Sequence, residues 1–415
     1  MINANLKSSY AADERVLNNR YKQAFVYGSI LALALFTLFG NDYLILIASQ
    51  MGILLIAVVG INILTGYTGL VSLGHGAFVA IGAYAVTIFG NLGAGVIPAG
   101  LMPFVSVPLA VALAAAVGVL VGLPSLRVKG LYLAVATLAA NFIVIFLIEE
   151  DLFAPWTGGM VGINTNVPNL LGWELDTKRE MFGLIAAVGL VSLLAAQNLI
   201  RTRVGRAFIA IRDRDYSAEI LGISLLRYKL MSFALSAAYC GLAGALFAYF
   251  YARILPEQFE LALSLNLVAA LIIGGMGRTM GPVFGVIIVV MVPELIKVLF
   301  GALAGDSAGA GQLRAPLQQI AFGVLLSMVG SDGLPNDPHP HPRPIPRPHP
   351  VPVGVKVVAA SVVYACRCSP THAAFWLWRA SRVSFVGLSR TAWGALQARV
   401  DRPAHRSGLR RLAAS

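Results

Sequence analysis

The side chains that could do chemistry in this 415-residue chain do not make an enzyme. The sequence has no nucleophile–base pair, no metal-ligand set and no Walker A phosphate loop. No catalytic residue, cofactor or metal is therefore expected, and any ATP hydrolysis would come from another polypeptide. What the sequence offers instead is polarity inside an apolar stretch. Residues 62–83 read NILTGYTGLVSLGHGAFVAIGA. Asn62, Thr65, Tyr67, Thr68, Ser72 and His75 alternate there with Gly66, Gly69, Gly74, Gly76 and Gly82, and Gly60 lies just upstream. A lipid-facing helix needs none of this. Backbone at membrane depth leaves the regular helix only where protein buries it or where it lines a wet cavity. The segment therefore reads as part of a translocation path. A helix beginning near Gly74 or Gly76 would present orphan N–H groups and a positive dipole end to a carboxylate. For any single glycine, tight helix packing explains its presence equally well. His75 is an intramembrane ionisable residue and so a functional candidate; near an interface, simple hydrogen bonding to backbone is the plainer reading.

A second glycine cluster, Gly274, Gly275, Gly277 and Gly281 with Arg278, interrupts a short apolar run. No strand precedes it and its spacing is not that of a dinucleotide fingerprint. Its first three glycines join the path candidates. The third signal is the loop RTRVGRAFIAIRDRDYSAEILGISLLRYK at 201–229. Tyr216, Ile220 and Ile223 recur at i, i+4 and i+7, which gives a short helix one apolar face. Arg212, Asp213, Arg214, Asp215 and Glu219 supply its charged remainder. Gly222 bounds it. Such a helix suits the groove of a soluble partner; the alternative is a helix lying on lipid, which the interleaved acidic residues disfavour.

These segments must be positioned by membrane helices. The chain is 58% hydrophobic and 12% charged, with a mean hydropathy of +0.77, whereas soluble domains carry about 25% charged residues. The expected fold is an all-α polytopic transmembrane bundle of about 8–10 spans with glycine-broken or re-entrant segments. The strongest spans are 24–40, 43–64, 101–123, 131–149, 181–200, 230–251 and 281–300. Residues 68–90 are glycine-broken, 265–277 are short enough to be tilted or re-entrant, and 316–329 are short. No cleavable signal peptide is evident, because residues 1–23 are polar and mixed in charge. Lys7, Arg15, Arg20 and Lys22 precede the first span, Arg127 and Lys129 lie between two others, and seven basic residues fall within 201–229. The loop 149–180 is acidic. The positive-inside rule then places the N-terminus and loop 201–229 in the cytoplasm. Glu294 and Lys297, one turn apart, are the main charges inside a span and are expected to pair. Gly118/Gly122 and Gly277/Gly281 have the spacing of close helix contacts. Cys240 reads as a small buried hydrophobe.

The net charge of +12 is uneven. From Gly330 onward there are 12 Lys+Arg against 3 Asp+Glu; the remainder has 19 against 16. The basic balance therefore comes from the tail, and nucleic-acid binding does not follow from it. Residues 335–352 contain nine prolines and cannot be helix or inner strand. The domains expected are a cytoplasmic segment 1–23, a permease domain 24–329 and a disordered Pro/Arg-rich tail 330–415. The tail has two readings. It is a polyproline linker with a basic segment for anionic lipid, or an out-of-frame product of GC-rich DNA. The abrupt change near Val329 favours the second.

Residues 62–83, LRVKGLYLAVATLA (126–139), TGGMVGI (157–163), VGRAFIAIRDRDYSAEILGISLLRYKLMSFALSA (204–237), LAGALFAYF (242–250) and LIIGGMGRTMGPVFGV (271–286) together resemble the inner-membrane permease subunits of branched-chain amino acid ABC importers, the LivM type. The likeness runs from about residue 20 to about 329. It implies a multi-pass protein of the bacterial inner membrane. It further implies a second, LivH-type permease subunit, two cytoplasmic ATPase subunits and a periplasmic amino-acid-binding protein as partners. Loop 204–229 then resembles a coupling loop, with Arg206, Asp213, Asp215, Tyr216, Ala218, Glu219 and Gly222 as the residues that would face an ATPase. In ABC importers this loop carries a Glu-Ala-Ala, three-residue, Gly pattern. Aligned on Gly222, Ala218 matches the third place, whereas Tyr216 and Ser217 occupy the first two. A urea or short-chain amide permease and an ion-coupled secondary amino acid transporter are the competing readings; few acidic residues in the spans weaken a proton relay.

Overall fold

The computed structural model describes residues 40–93, 98–125, 131–150, 153–166, 168–170 and 173–304, with residues 28, 36, 37 and 323. The expected N-terminal segment, the tail with Cys366 and Cys368, the loop residues Arg127 and Lys129, and nearly all of spans 24–40 and 316–329 fall outside the described residues.

Long apolar runs without charge become helices because only a helix satisfies every backbone group internally in lipid. In chain order these are α1 (Asp42–Ile61), which passes into a π-helical turn at Asn62–Tyr67, then α2 (His75–Gly93), α3 (Met102–Ser125) and α4 (Leu131–Glu149). The short α5 (Ala154–Thr157) follows, then strands β1 (Ile163–Asn164), β2 (Asn169–Leu170) and β3 (Trp173–Glu174). The second half comprises α6 (Lys178–Arg201), α7 (Arg203–Asp213), α8 (Asp215–Ile220), α9 (Leu225–Tyr251), β4 (Arg253–Ile254), α10 (Leu261–Gly274) and α11 (Gly281–Ala304). Seven helical stretches among the described residues are long and apolar enough to cross a membrane, and Gly281–Leu295 is a shorter apolar helix. The all-α polytopic bundle is therefore the observed fold.

The 27-residue helix α9 is the central post, packed against α1, α2 and α3. Small residues let the backbones meet. A side chain on Gly82 would run into the backbone of Gly241, and one on Gly244 into the Val79 carbonyl. Gly118 lies against Ala237 and Gly122 against Phe233, as their spacing suggested. Cys240 is fully buried in this core.

Helix α10 has 14 residues, about 21 Å at 1.5 Å per residue and short of a bilayer core of about 30 Å. The 3-10 turn Pro256–Phe259 lengthens it at its start. At its end Gly275 (φ +94°) and Gly277 (φ +75°) reverse the chain, and α11 returns along α10 with Gly285 against the Ala270 carbonyl. Gly277 and Gly281 thus belong to a turn and the helix after it, not to one helix face. Glu294 accepts a hydrogen bond from the Tyr43 hydroxyl at 2.5 Å; the Lys297 side chain lies outside the described residues.

The ends of the bundle differ. At the end where α9 finishes, β4 pairs antiparallel with β1 (Ile163 opposite Ile254), and the TGGMVGI segment folds as a turn with positive φ at Gly158, Gly159 and Gly162. Gln50 donates to the Tyr251 hydroxyl there. At the end where α9 begins lie α7 and α8.

Candidate functional site

The π-helical turn and the irregular stretch 68–74 release backbone groups that a regular helix would pair. Side chains take several of them. Thr68 Oγ1 donates to the Ile63 carbonyl at 3.1 Å and Thr65 Oγ1 to the Leu70 carbonyl at 3.0 Å. The Gly66 carbonyl accepts from Arg212 Nη1 at 2.5 Å, across 146 residues of sequence. Arg212 sits in the last turn of α7. Gly69 (φ +77°) faces the Arg212 stem, and Gly277 faces its guanidinium.

Asn62 ties the first break to the second. Its Nδ2 donates to the Arg278 carbonyl at 3.0 Å, and its Oδ1 accepts from the Gly277 N–H at 2.9 Å. A side chain on Gly66 would strike the Asn62 amide and approach the Gly277 backbone. The two glycine clusters, some 200 residues apart in sequence, are thus one structural unit at the end of the bundle nearest α7. Tyr67 is buried beside Phe208 of α7 in the same cluster of apolar side chains.

Helix α2 starts inside the bundle. His75 is fully buried, its Nε2 2.8 Å from Ser236 Oγ near the middle of α9, with its ring edge-to-face against Phe78. It is therefore an interior residue partnered by a hydroxyl. Several N–H groups around the start of α2 already have protein acceptors. Gly76 N donates to Ser264 Oγ at 2.8 Å, Leu73 N to Thr137 Oγ1 at 3.0 Å, Gly74 N to Ser72 Oγ at 3.5 Å and Ala77 N to the Gly74 carbonyl at 3.2 Å. A side chain on Gly74 would enter the Thr137 carbonyl, and one on Gly76 would crowd Ser264, Phe259 and Asn141. Asn141 of α4 is fully buried, and neither of its amide atoms has a hydrogen-bond partner among the described residues. It is the least satisfied polar group beside the helix start.

The loop between α6 and α9 is a compact two-helix platform. Thr202 caps α7, accepting from Gly205 N at 3.5 Å, and Gly205 lets α7 fold back against Ile200. Arg206 donates to the Arg201 carbonyl at 3.2 Å. Asp213 ends α7. Asp215 begins α8 and accepts a hydrogen bond from Lys229 of α9 at 2.7 Å. Gly222 (φ +83°) stops α8: its N–H donates to the Glu219 carbonyl and the Ile223 N–H to the Ala218 carbonyl, the Schellman pairing that a glycine in the left-handed region permits. The apolar helix face expected at 216, 220 and 223 is shorter, because the stop precedes Ile223. Ala218 is buried, while Tyr216 is 76%, Ile220 70% and Leu221 79% exposed. Glu219 is exposed beside them.

Of the path candidates, Asn62, Gly66, Gly69 and Gly277 come together around Arg212, with Tyr67 and Thr65 next to them. Ser72, Gly74, His75 and Gly76 form a separate buried group at the start of α2. Gly274 and Gly275 belong to the α10–α11 turn. Arg212, Thr137, Asn141, Ser236 and Ser264 were not singled out from sequence. Polar residues in apolar spans were the available signal for the last four; nothing in the sequence distinguishes Arg212 from its basic neighbours.

The site thus belongs to an all-α membrane domain with interrupted helices and a platform carrying an exposed apolar edge. Residues 43–329 match the family described as the permease component of branched-chain amino acid transport systems, and the chain belongs to that family. It is 35% identical over 275 residues to the high-affinity branched-chain amino acid transport system permease protein LivM of Escherichia coli, covering 60% of this chain and 63% of that protein. The probable LivM of Methanocaldococcus jannaschii is 25% identical over 197 residues, covering 46% of this chain and 56% of its own length. The autoinducer 2 import system permease protein LsrC of Salmonella typhimurium is 28% identical over 191 residues, covering 40% and 52%. The chain thus spans about 63% of the length of the curated LivM it matches. No solved structure matches it.

Proposed function

We propose that this chain is the membrane permease subunit of an ATP-driven importer and forms part of the translocation pathway for branched-chain, hydrophobic amino acids. The observation that carries this reading is the α8 edge of Tyr216, Ile220 and Leu221. Three large apolar side chains are exposed beside a buried Ala218 on a platform held to α9, as a helix offered to a soluble partner's groove would be. The names of the LivM relatives support the solute class. In this reading a LivH-type permease completes the membrane core, two cytoplasmic ATPase subunits bind the platforms and hydrolyse ATP, and a periplasmic binding protein delivers the amino acid. The N-terminus and the α7–α8 end face the cytoplasm of a bacterial inner membrane.

The test is uptake in vesicles containing the co-purified complex. Leucine, isoleucine or valine uptake should require ATP and the binding protein. Uptake driven by an ion gradient without either would replace the importer with a secondary transporter, and ATP-driven uptake of urea in place of amino acids would replace the solute. Residues 330–415 are proposed to lie outside the permease domain, since the family match ends at residue 329. A chain truncated after Val329 should keep uptake; its loss would return the tail to the permease.

A further inference from the structure

We infer that Arg212 is the positioning residue that hitches the α7–α8 platform to the two helix breaks, so that displacement of the platform is delivered to both breaks together. The inference rests on the importer reading above and names how its drive reaches the membrane domain.

Three contacts carry it. First, both helices of the platform are anchored on the same helix, α9. Asp215 at the start of α8 is held by Lys229 of α9 at 2.7 Å, Ala218 of α8 is buried, and Phe208 of α7 packs edge-to-face on Tyr228 of α9. Both platform helices therefore share one anchor, and a displacement applied at Tyr216, Ile220 and Leu221 involves α7 as well. Second, Arg212 leaves the last turn of α7 and donates to the Gly66 carbonyl, one of the groups freed by the π-helical turn. A guanidinium donating to a backbone carbonyl makes a charge-assisted and directional bond. The Arg212 stem passes Gly69 and its head lies against Gly277, so that a side chain at Gly277 would displace the guanidinium and one at Gly69 would crowd the stem. Third, Asn62 locks the breaks to each other through Gly277 N and the Arg278 carbonyl. A pull at Gly66 therefore reaches 274–281 as well.

A plain capping role would satisfy the Gly66 carbonyl and nothing more. It does not account for contacts that span both breaks, nor for the choice of a side chain rooted in the platform rather than in α1 itself.

The experiment uses the full complex in vesicles. Wild-type uptake that needs ATP and the binding protein establishes the importer reading separately. Arg212→Met and Arg212→Lys are then compared for complex assembly, binding-protein-stimulated ATPase activity and uptake. Arg212→Met should assemble and hydrolyse ATP, yet its uptake per ATP should fall about tenfold, the scale of an ordinary coupling free energy. Arg212→Lys should recover part of it. A nitroxide pair at Val71 and Val191, both exposed, should change distance on ATP binding in the wild-type background and not with Arg212→Met. Wild-type uptake per ATP in Arg212→Met would overturn the inference. So would an ATP-dependent distance change that survives that substitution. Loss of assembly in both variants would also overturn it, because Arg212 would then be scaffold.

Discussion

At the break after α1, Gly66, Gly74 and Gly76 keep ordinary backbone angles and are required for space: a Cβ at each would meet a carbonyl, an amide or a hydroxyl. At the break after α10, Gly275 and Gly277 are required for positive φ, and the Gly275 position is nearly open, with only Arg278 Cδ at 3.9 Å. The platform stop at Gly222 is of the second kind, with nothing near a Cβ. The first break is therefore mainly a packing joint, with one left-handed glycine at Gly69, and the second is mainly a turn, with Gly274 packed on the Gly281 backbone. A packing joint fails on any added atom, because the interior is close-packed and backbone cannot step aside. A turn fails only through its dihedral cost.

The contrast can be broken from its largest expected effect downward. Gly74→Ala drives a methyl into the Thr137 carbonyl and should destabilise the protein by about 3 kcal/mol, the upper part of the overpacking range; a thermal unfolding midpoint equal to wild type would show that this break is not a packing joint. Asn62→Leu strands the Gly277 N–H and the Arg278 carbonyl, at a cost of about 2 kcal/mol for unpaired polar groups. Because it unlocks the breaks from each other, it should also lower uptake while leaving ATPase activity in place.

Gly277→Ala combines left-handed strain of about 1–2 kcal/mol with displacement of the Arg212 head. Its uptake defect should be non-additive with Arg212→Met, as residues sharing a contact are; strict additivity of the two defects would separate Gly277 from the Arg212 contact. Gly222→Ala meets no atom within 4 Å and should cost only about 1 kcal/mol, with Gly222→Asn closer to neutral because asparagine tolerates the same conformation. Equal losses in these two variants, measured as ATPase stimulation by the binding protein, would show that the contact with the partner rather than the backbone angle selects glycine there.

Much of this was legible beforehand at particular residues. The helix interruptions near 62–76 and 274–281 were marked by polar and glycine residues in otherwise apolar runs, and the α8 edge by Tyr216 and Ile220 four apart. Ile223 was read onto that face, but the Schellman stop at Gly222 ends the helix before it. The Gly277/Gly281 pair looked like a helix stripe because spacing carries no dihedral information. A helix start lies at Gly74–Gly76 as expected, yet N–H groups there are met by Ser264 and Thr137 on other segments and by the nearby Ser72. Arg212 was one of seven basic residues in its loop, and only its position beneath Gly66 separates it from the others.

The sequence by itself determined that the chain builds an all-α membrane bundle, where its helices break and which short segment carries an exposed apolar edge, since hydropathy, glycine and helical periodicity act locally along the chain. Only the tertiary structure decided that the two breaks are one unit, joined by Asn62 and gripped by Arg212. Those bonds close across 215 and 146 residues, and which distant backbone groups face each other depends on how α1, α9, α10 and α7 pack, a property of the whole bundle rather than of any window of sequence.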